Sequence, residues 1–237
     1  MINPLAVTDE VTYPDANLLV TEDDTPVDNF ASAKQQRLLV SSLYSSLTTA
    51  TFLAEANVGI YHTVSQPAIV PDVFVSFDVQ APKAWWEKPN RCYLIWNFGK
   101  APEIVLEIVS NRVGNELTDK LQTYAYIRVS YYIVYDPAQH LGETKLYLYE
   151  LRGRRYVELS EPWLEQVNLG LTDWQGKFEG RQDTWLRWCD AQGNILLTGD
   201  ELAEQERQRA EQERQRAERL VAMLKAQGID PDQLPES

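Results

Sequence analysis

Apolar and polar positions along this 237-residue chain fall into segments of different period. Over residues 31–54, Leu39, Val40, Leu43 and Leu47 recur every three or four positions, which predicts an amphipathic helix opening the body, with Ser32 as its N-cap. After Gly59 the apolar residues shorten into β-type runs at 60–64, 69–79, 93–97, 103–109 and 131–136. Between the last two, Leu117, Leu121, Tyr124, Ala125 and Arg128 share one helical stripe over 115–128, with Gly114 marking its start. A helix, several strands, a helix and a further strand predict an α/β fold: a mixed β-sheet flanked by helices. Segments 103–109, 116–128 and 131–136 read as one right-handed crossover unit. Residues 145–200 read as short β segments parted by turns at Arg152-Gly153-Arg154 and Gln192-Gly193-Asn194.

The last segment has its own period. Ala203 to Arg209 recurs unchanged as Ala210 to Arg216 and begins again at Ala217. A seven-residue repeat is the mark of a coiled coil, yet Ala203, Ala210, Ala217 and Leu224 face Glu206, Glu213 and Leu220, so only the final turns offer an apolar seam. The pattern fits either an oligomerisation helix or a solvated helix laced by pairs such as Glu206 with Arg209 and Arg207 with Glu211. Three regions are therefore expected: an arm at 1–30, a body at 31–200 and a charged heptad-repeat tail at 201–237.

Charge separates these regions further. The chain holds 35 acidic and 22 basic residues, a net charge of −13. Residues 1–30 contain seven acids and no Lys or Arg, so the arm alone carries −7, and the body is close to neutral. The overall sign therefore does not bar a polyanionic partner. A hydrophobic content of 44% excludes a disordered chain. No run of 18 apolar residues and no signal-like N-terminus are present, so a cytoplasmic protein without a membrane span is expected. Cys92 and Cys189 are far apart, and with only His62 and His140 they cannot build a zinc site.

The candidate chemistry lies in acids placed within apolar strands. The two-residue period at 103–109 puts Glu107 on a face with Val105 and Val109, and at 69–75 it puts Asp72 on a face with Val70 and Phe74. A buried carboxylate needs a cation, a metal or a proton. Two such acids on neighbouring strands could share Mg²⁺ or Mn²⁺, which favour oxygen ligands. Lys120 is the candidate cation, because the helix after the Glu107 strand packs back over the sheet; Tyr124 lies one turn away on the same side. The same residues also admit structural roles, with Asp72 capping a turn and Lys120 pairing with Glu116. Between the two acids, residues 81–100 hold Lys83, Lys88, Arg91 and Lys100 among Trp85, Trp86, Tyr93 and Trp96. That mixture suits phosphate contact and base stacking, or simply aromatic packing on the body.

Val70-Pro71-Asp72-Val73, Val105-Leu106-Glu107-Ile108-Val109-Ser110 with Asn111-Arg112, Lys120 with Tyr124-Ala125, and Tyr132-Ile133-Val134-Tyr135-Asp136-Pro137 together resemble the bacterial Uma-two family of restriction endonucleases, within the PD-(D/E)XK nuclease superfamily. The resemblance covers about residues 30–200. It implies a Mg-dependent endonuclease, Mn²⁺ also being possible, that hydrolyses DNA and forms a homodimer. Asp72, Glu107 and the backbone carbonyl of Ile108 would be metal ligands. Val109 stands where the family's motif lysine would be, and the lysine is displaced to Lys120. Gln36 and Tyr124 would support the site, and Lys83, Lys88, Arg91 and Arg112 would contact DNA. The displaced lysine keeps open a second reading: an inactive nuclease fold serving as a binding or assembly module that oligomerises through its tail.

Overall fold

The computed structural model describes residue 15, residues 29–110 and residues 116–227. Most of the acidic arm, and Arg112, lie outside the described residues. Helix α1 (Phe30–Ser46) opens the body, and its N-cap is Asn29 rather than Ser32: the Asn29 side chain accepts from the amides of Ala31 and Ser32, both at 2.9 Å. The helix also ends eight residues earlier than its periodicity predicts. Phe52, Leu53 and Ala54, which continue a helical pattern on paper, instead alternate between two faces as strand β1 (Phe52–Ala56).

A six-stranded mixed sheet forms the centre, in the order β1, β3 (Val73–Phe77), β5 (Ile104–Ile108), β6 (Tyr131–Tyr135), β7 (Leu146–Arg152), β8 (Arg155–Glu158). Strands β5 and β6 run parallel and the other pairs antiparallel, so the predicted crossover unit is present. Its helix departs from expectation in kind. A π turn at Glu116–Lys120 leads into α3 (Leu121–Tyr126).

Both faces of the central strands are buried, which is why 104–108 and 131–135 are almost continuously apolar. On one face Ile104, Leu106, Ile108, Ile133 and Tyr135 pack against Leu39 and Leu43 of α1. The same layer holds Leu171, Leu186 and Trp188 from a second, three-stranded sheet of β9 (Trp163–Leu164), β10 (Leu169–Phe178) and β11 (Arg181–Cys189). On the other face Leu53, Phe74, Val105 and Val134 pack against Tyr124 and Ile127 from the α3 side. Strands β10 and β11 are longer than the short segments expected. They form one hairpin closed at Glu179-Gly180, both with positive φ, a turn whose twist suits a two-residue loop.

The run at 93–97 contracts to β4 (Tyr93–Leu94), which pairs with β2 (Ile60–Tyr61), and then turns into the single helical turn α2 (Ile95–Phe98). The run at 69–79 contracts to β3, since Pro71 cannot donate to a ladder and Asp78 leaves the strand with a φ of 55°. Helix α4 (Gly199–Ala226) is the expected tail, capped by Thr198 and Glu201 in a reciprocal capping box. Its intrahelical pairs include Arg209 with Glu206, but Arg207 pairs back to Glu204 rather than forward to Glu211. No helix among the described residues is long and apolar enough to cross a membrane.

Candidate active site

Two carboxylates meet where β3 and β5 run side by side. The last ladder pair is Val73 with Leu106, and continuing that register sets Asp72 opposite Glu107. Their side chains share a face with Phe74 and Val105, as the strand parity predicted. Beyond Val73 the ladder ends, and the Asp72 side chain takes over its role: Oδ2 accepts the amide of Ile108 at 2.5 Å. The other oxygen, Oδ1, accepts from Gln36 Nε2 at 2.9 Å. Gln36 is buried on α1, and its own carbonyl oxygen accepts from Asn57 Nδ2 at 3.0 Å. One carboxylate is thus fixed by a helix, a strand end and a neighbouring amide.

Glu107 is only 3% exposed. Lys120 Nζ donates to Oε2 at 2.8 Å and the Tyr124 hydroxyl donates to Oε1 at 2.7 Å. The four-residue spacing of these donors puts both on one side of the helix, so each grips one carboxylate oxygen. Lys120 also lies 3.6 Å from Glu116 Oε1. Burial, opposed by Lys120 and reinforced by the neighbouring Asp72, pushes the Glu107 carboxyl up to about 7. Burial works against the Lys120 charge, but Glu107, Glu116 and Asp72 outweigh it and hold the ammonium above its ordinary value. Burial, then Glu107, raises the Tyr124 hydroxyl well above 10, so it stays a donor.

Gln36 of α1, Asp72 just before β3, Glu107 of β5, Lys120 of the π turn and Tyr124 of α3 are therefore brought together. Lys83, Lys88 and Arg91 are not at this cluster; they lie exposed on the segment between β3 and β4. Trp85 and Trp86 on that segment are 57% and 79% exposed, so they are not packed away as core. Lys100 turns elsewhere, donating to Glu103 and to the Phe77 carbonyl, both at 2.5 Å. Sequence reasoning missed Asn57, which has no periodic signature, and undervalued Glu116. Glu116 is buried, with Oε2 lacking a hydrogen-bond partner among the described residues. Its position four residues before Lys120 was the available signal.

Among the described residues no group of three His, Cys, Asp or Glu side chains converges as a metal cluster. The donor set at β3 and β5 consists of two carboxylates, which is hard-ligand chemistry. The repulsion of Asp72 that helps to raise Glu107 is what a divalent cation between them would relieve, so the residues fit such an ion.

Comparison with known proteins bears on this site. Among curated proteins none is similar to the chain. A solved structure described as a "putative nuclease belonging to DUF820" from Anabaena variabilis ATCC 29413 is 15% identical, covering 58% of this chain and 71% of its own, with a TM-score of 0.42. The Uma2 family model, described as "Putative restriction endonuclease", matches residues 20–177, a span that contains Gln36, Asp72, Glu107, Lys120 and Tyr124. On that match the chain belongs to the Uma2 family of restriction endonuclease-like proteins.

Proposed function

We propose that the protein is a metal-dependent endonuclease that hydrolyses DNA phosphodiester bonds at the Asp72–Glu107 pair. The observation that carries this reading is the side-by-side placement of two carboxylates at a strand junction, with one ammonium, Lys120, held against them. Asp72, Glu107 and the main-chain carbonyl of Ile108 would hold Mg²⁺ or Mn²⁺. Such an ion, when bound, offsets charge on a scissile phosphate and acidifies a water. The chain's own residues supply the rest. Gln36 and the Ile108 amide fix the Asp72 rotamer, and Tyr124 fixes Glu107. Lys120 keeps its positive charge across the neutral range and so can orient an attacking water or stabilise the phosphorane oxygens. Lys83, Lys88 and Arg91 would hold the phosphate backbone.

The test is cleavage of supercoiled plasmid with Mg²⁺ or Mn²⁺. Wild type should nick or linearise the plasmid, and Asp72→Ala should lower the rate by at least about 100-fold. Equal rates in the two proteins would remove Asp72 from the chemistry. One observation favours a second reading, a silent nuclease fold used as a binding module: both Glu107 oxygens already accept bonds from Lys120 and Tyr124. Calorimetric titration with Mn²⁺ separates the two, since the silent module should show no heat of binding that depends on Asp72.

A further inference from the structure

Next to the carboxylate pair, on the same face of the sheet, is a cleft of about 740 Å³ that the nuclease reading leaves unused. Its volume lies within the roughly 300–1,000 Å³ that accommodates small ligands. The floor is Phe74, two residues along β3 from Asp72 and therefore about 6.7 Å away along the strand, a distance comparable to one nucleotide. Tyr93 stands edge-on to Phe74, with ring centroids 5.2 Å apart. Trp85 and Trp86 line the cleft from the loop between β3 and β4, set at 83° to each other. Arg91 braces that loop by donating to the Trp86 carbonyl at 3.0 Å.

One carboxylate interrupts this aromatic lining. Glu55 on β1 pairs directly with Phe74, so its side chain lies on the same face and reaches the cleft. Among the described residues no donor hydrogen-bonds to it and no cation pairs with it. It is half-buried, and that burial raises its pKa. A carboxylate held among aromatic rings without a partner is a costly arrangement unless an incoming N–H group satisfies it.

We propose that this cleft receives a single unstacked nucleobase next to the scissile phosphate, with Glu55 accepting from the base's Watson–Crick edge. The proposal rests on the nuclease reading for its substrate class and deepens it. Three features of the cleft identify the occupant. Trp85 and Trp86, exposed where Phe74 and Tyr93 are buried, offer aromatic faces that bind any base by stacking. The basic residues Lys83, Lys88 and Arg91 on the same segment suit the backbone that carries the base. The two oxygens of a carboxylate match guanine, whose Watson–Crick edge offers two adjacent donors, the ring N1–H and the exocyclic amino group; thymine offers one. In a duplex that edge is already paired, so the cleft selects unpaired or extruded guanine.

The experiment measures binding alone, in full-length Asp72→Ala protein with EDTA at low salt, by tryptophan fluorescence. The probes are a short all-thymine strand, the same strand with one central guanine, the same with inosine in place of guanine, and the guanine strand as a duplex. The guanine strand should bind about tenfold more tightly than the all-thymine strand, the discrimination expected of one bidentate contact. Inosine, lacking the amino group, should lose most of that gain, and the duplex should show little quenching. Glu55→Gln should reduce the guanine preference to within about twofold. Trp86→Ala, at an exposed residue, should weaken every single strand. Equal binding of guanine and thymine strands, or a guanine preference that survives Glu55→Gln, would overturn the assignment. Because no cleavage is measured, a negative plasmid assay alongside an intact guanine preference would count against the nuclease reading and leave the cleft assignment standing.

Discussion

At the residue scale, Glu107 sets the electrostatics of the site. An acid whose pKa rises on folding favours the folded state while it is protonated. In the metal-free protein Glu107 therefore contributes its full share below its ordinary value of 4.5, and that share is lost as the pH climbs through about 7. Glu107→Gln cannot titrate. Relative to wild type it should gain on the order of 3 kcal/mol between pH 4.5 and pH 8, measured by urea unfolding with a chelator present. A difference that stays flat over that window would mean that Glu107 remains ionised throughout, held by Lys120. Mn²⁺ should restore wild-type stability at pH 8 if the ion sits between Asp72 and Glu107. Strand parity alone made Glu107 legible as a buried acid, and helical spacing made Lys120 and Tyr124 legible as its partners. Glu55 was hidden, because the sequence from 47 to 54 has no breaker and reads as more helix.

At the element scale, α4 is joined to the body by one buried ion pair. Arg187 of β11 is fully buried and donates to Glu201 at 2.7 and 3.0 Å and to the Leu196 carbonyl at 2.6 Å, with its guanidinium 4.7 Å from the Trp174 ring. Glu201 also completes the helix cap through the Thr198 amide at 2.8 Å. Removing the carboxylate leaves a buried cation without its counter-charge. Glu201→Ala should cost about 2–4 kcal/mol, below the range for wholly buried pairs because Glu201 is partly exposed. Thr198→Ala should cost about 1 kcal/mol, and both losses should appear as lower urea midpoints. The heptad repeat made the helix itself predictable, but not this anchor. Arg187 lies within an alternating strand sequence whose pattern does not say that a charged side chain points inward. The order of the central strands was equally hidden, since pairing β3 with β5 depends on contacts about thirty residues apart.

At the scale of the whole molecule, the charge is unevenly distributed along the chain. Residues 1–28 contain all seven acids of the arm. If Lys83, Lys88 and Arg91 hold nucleic acid as proposed, a −7 segment would compete with it for them when salt does not screen the charges. Deleting residues 1–28 should therefore strengthen binding of single-stranded DNA at 50 mM salt and have little effect at 0.5 M, by fluorescence titration. An unchanged affinity at low salt would make the arm a bystander. The tail bears on oligomeric state in a less obvious way. From Glu204 to Ala226, α4 is exposed along nearly its whole length, and 23 helical residues extend about 35 Å. A compact chain of this size has a radius of gyration of only about 18 Å. A rod of that length raises the frictional drag of a single 27.2 kDa chain. On a gel-filtration column a monomer would then elute early, at the position of a globular dimer. Whether the tail joins two copies is therefore a question for sedimentation equilibrium, which weighs the particle and is indifferent to its shape.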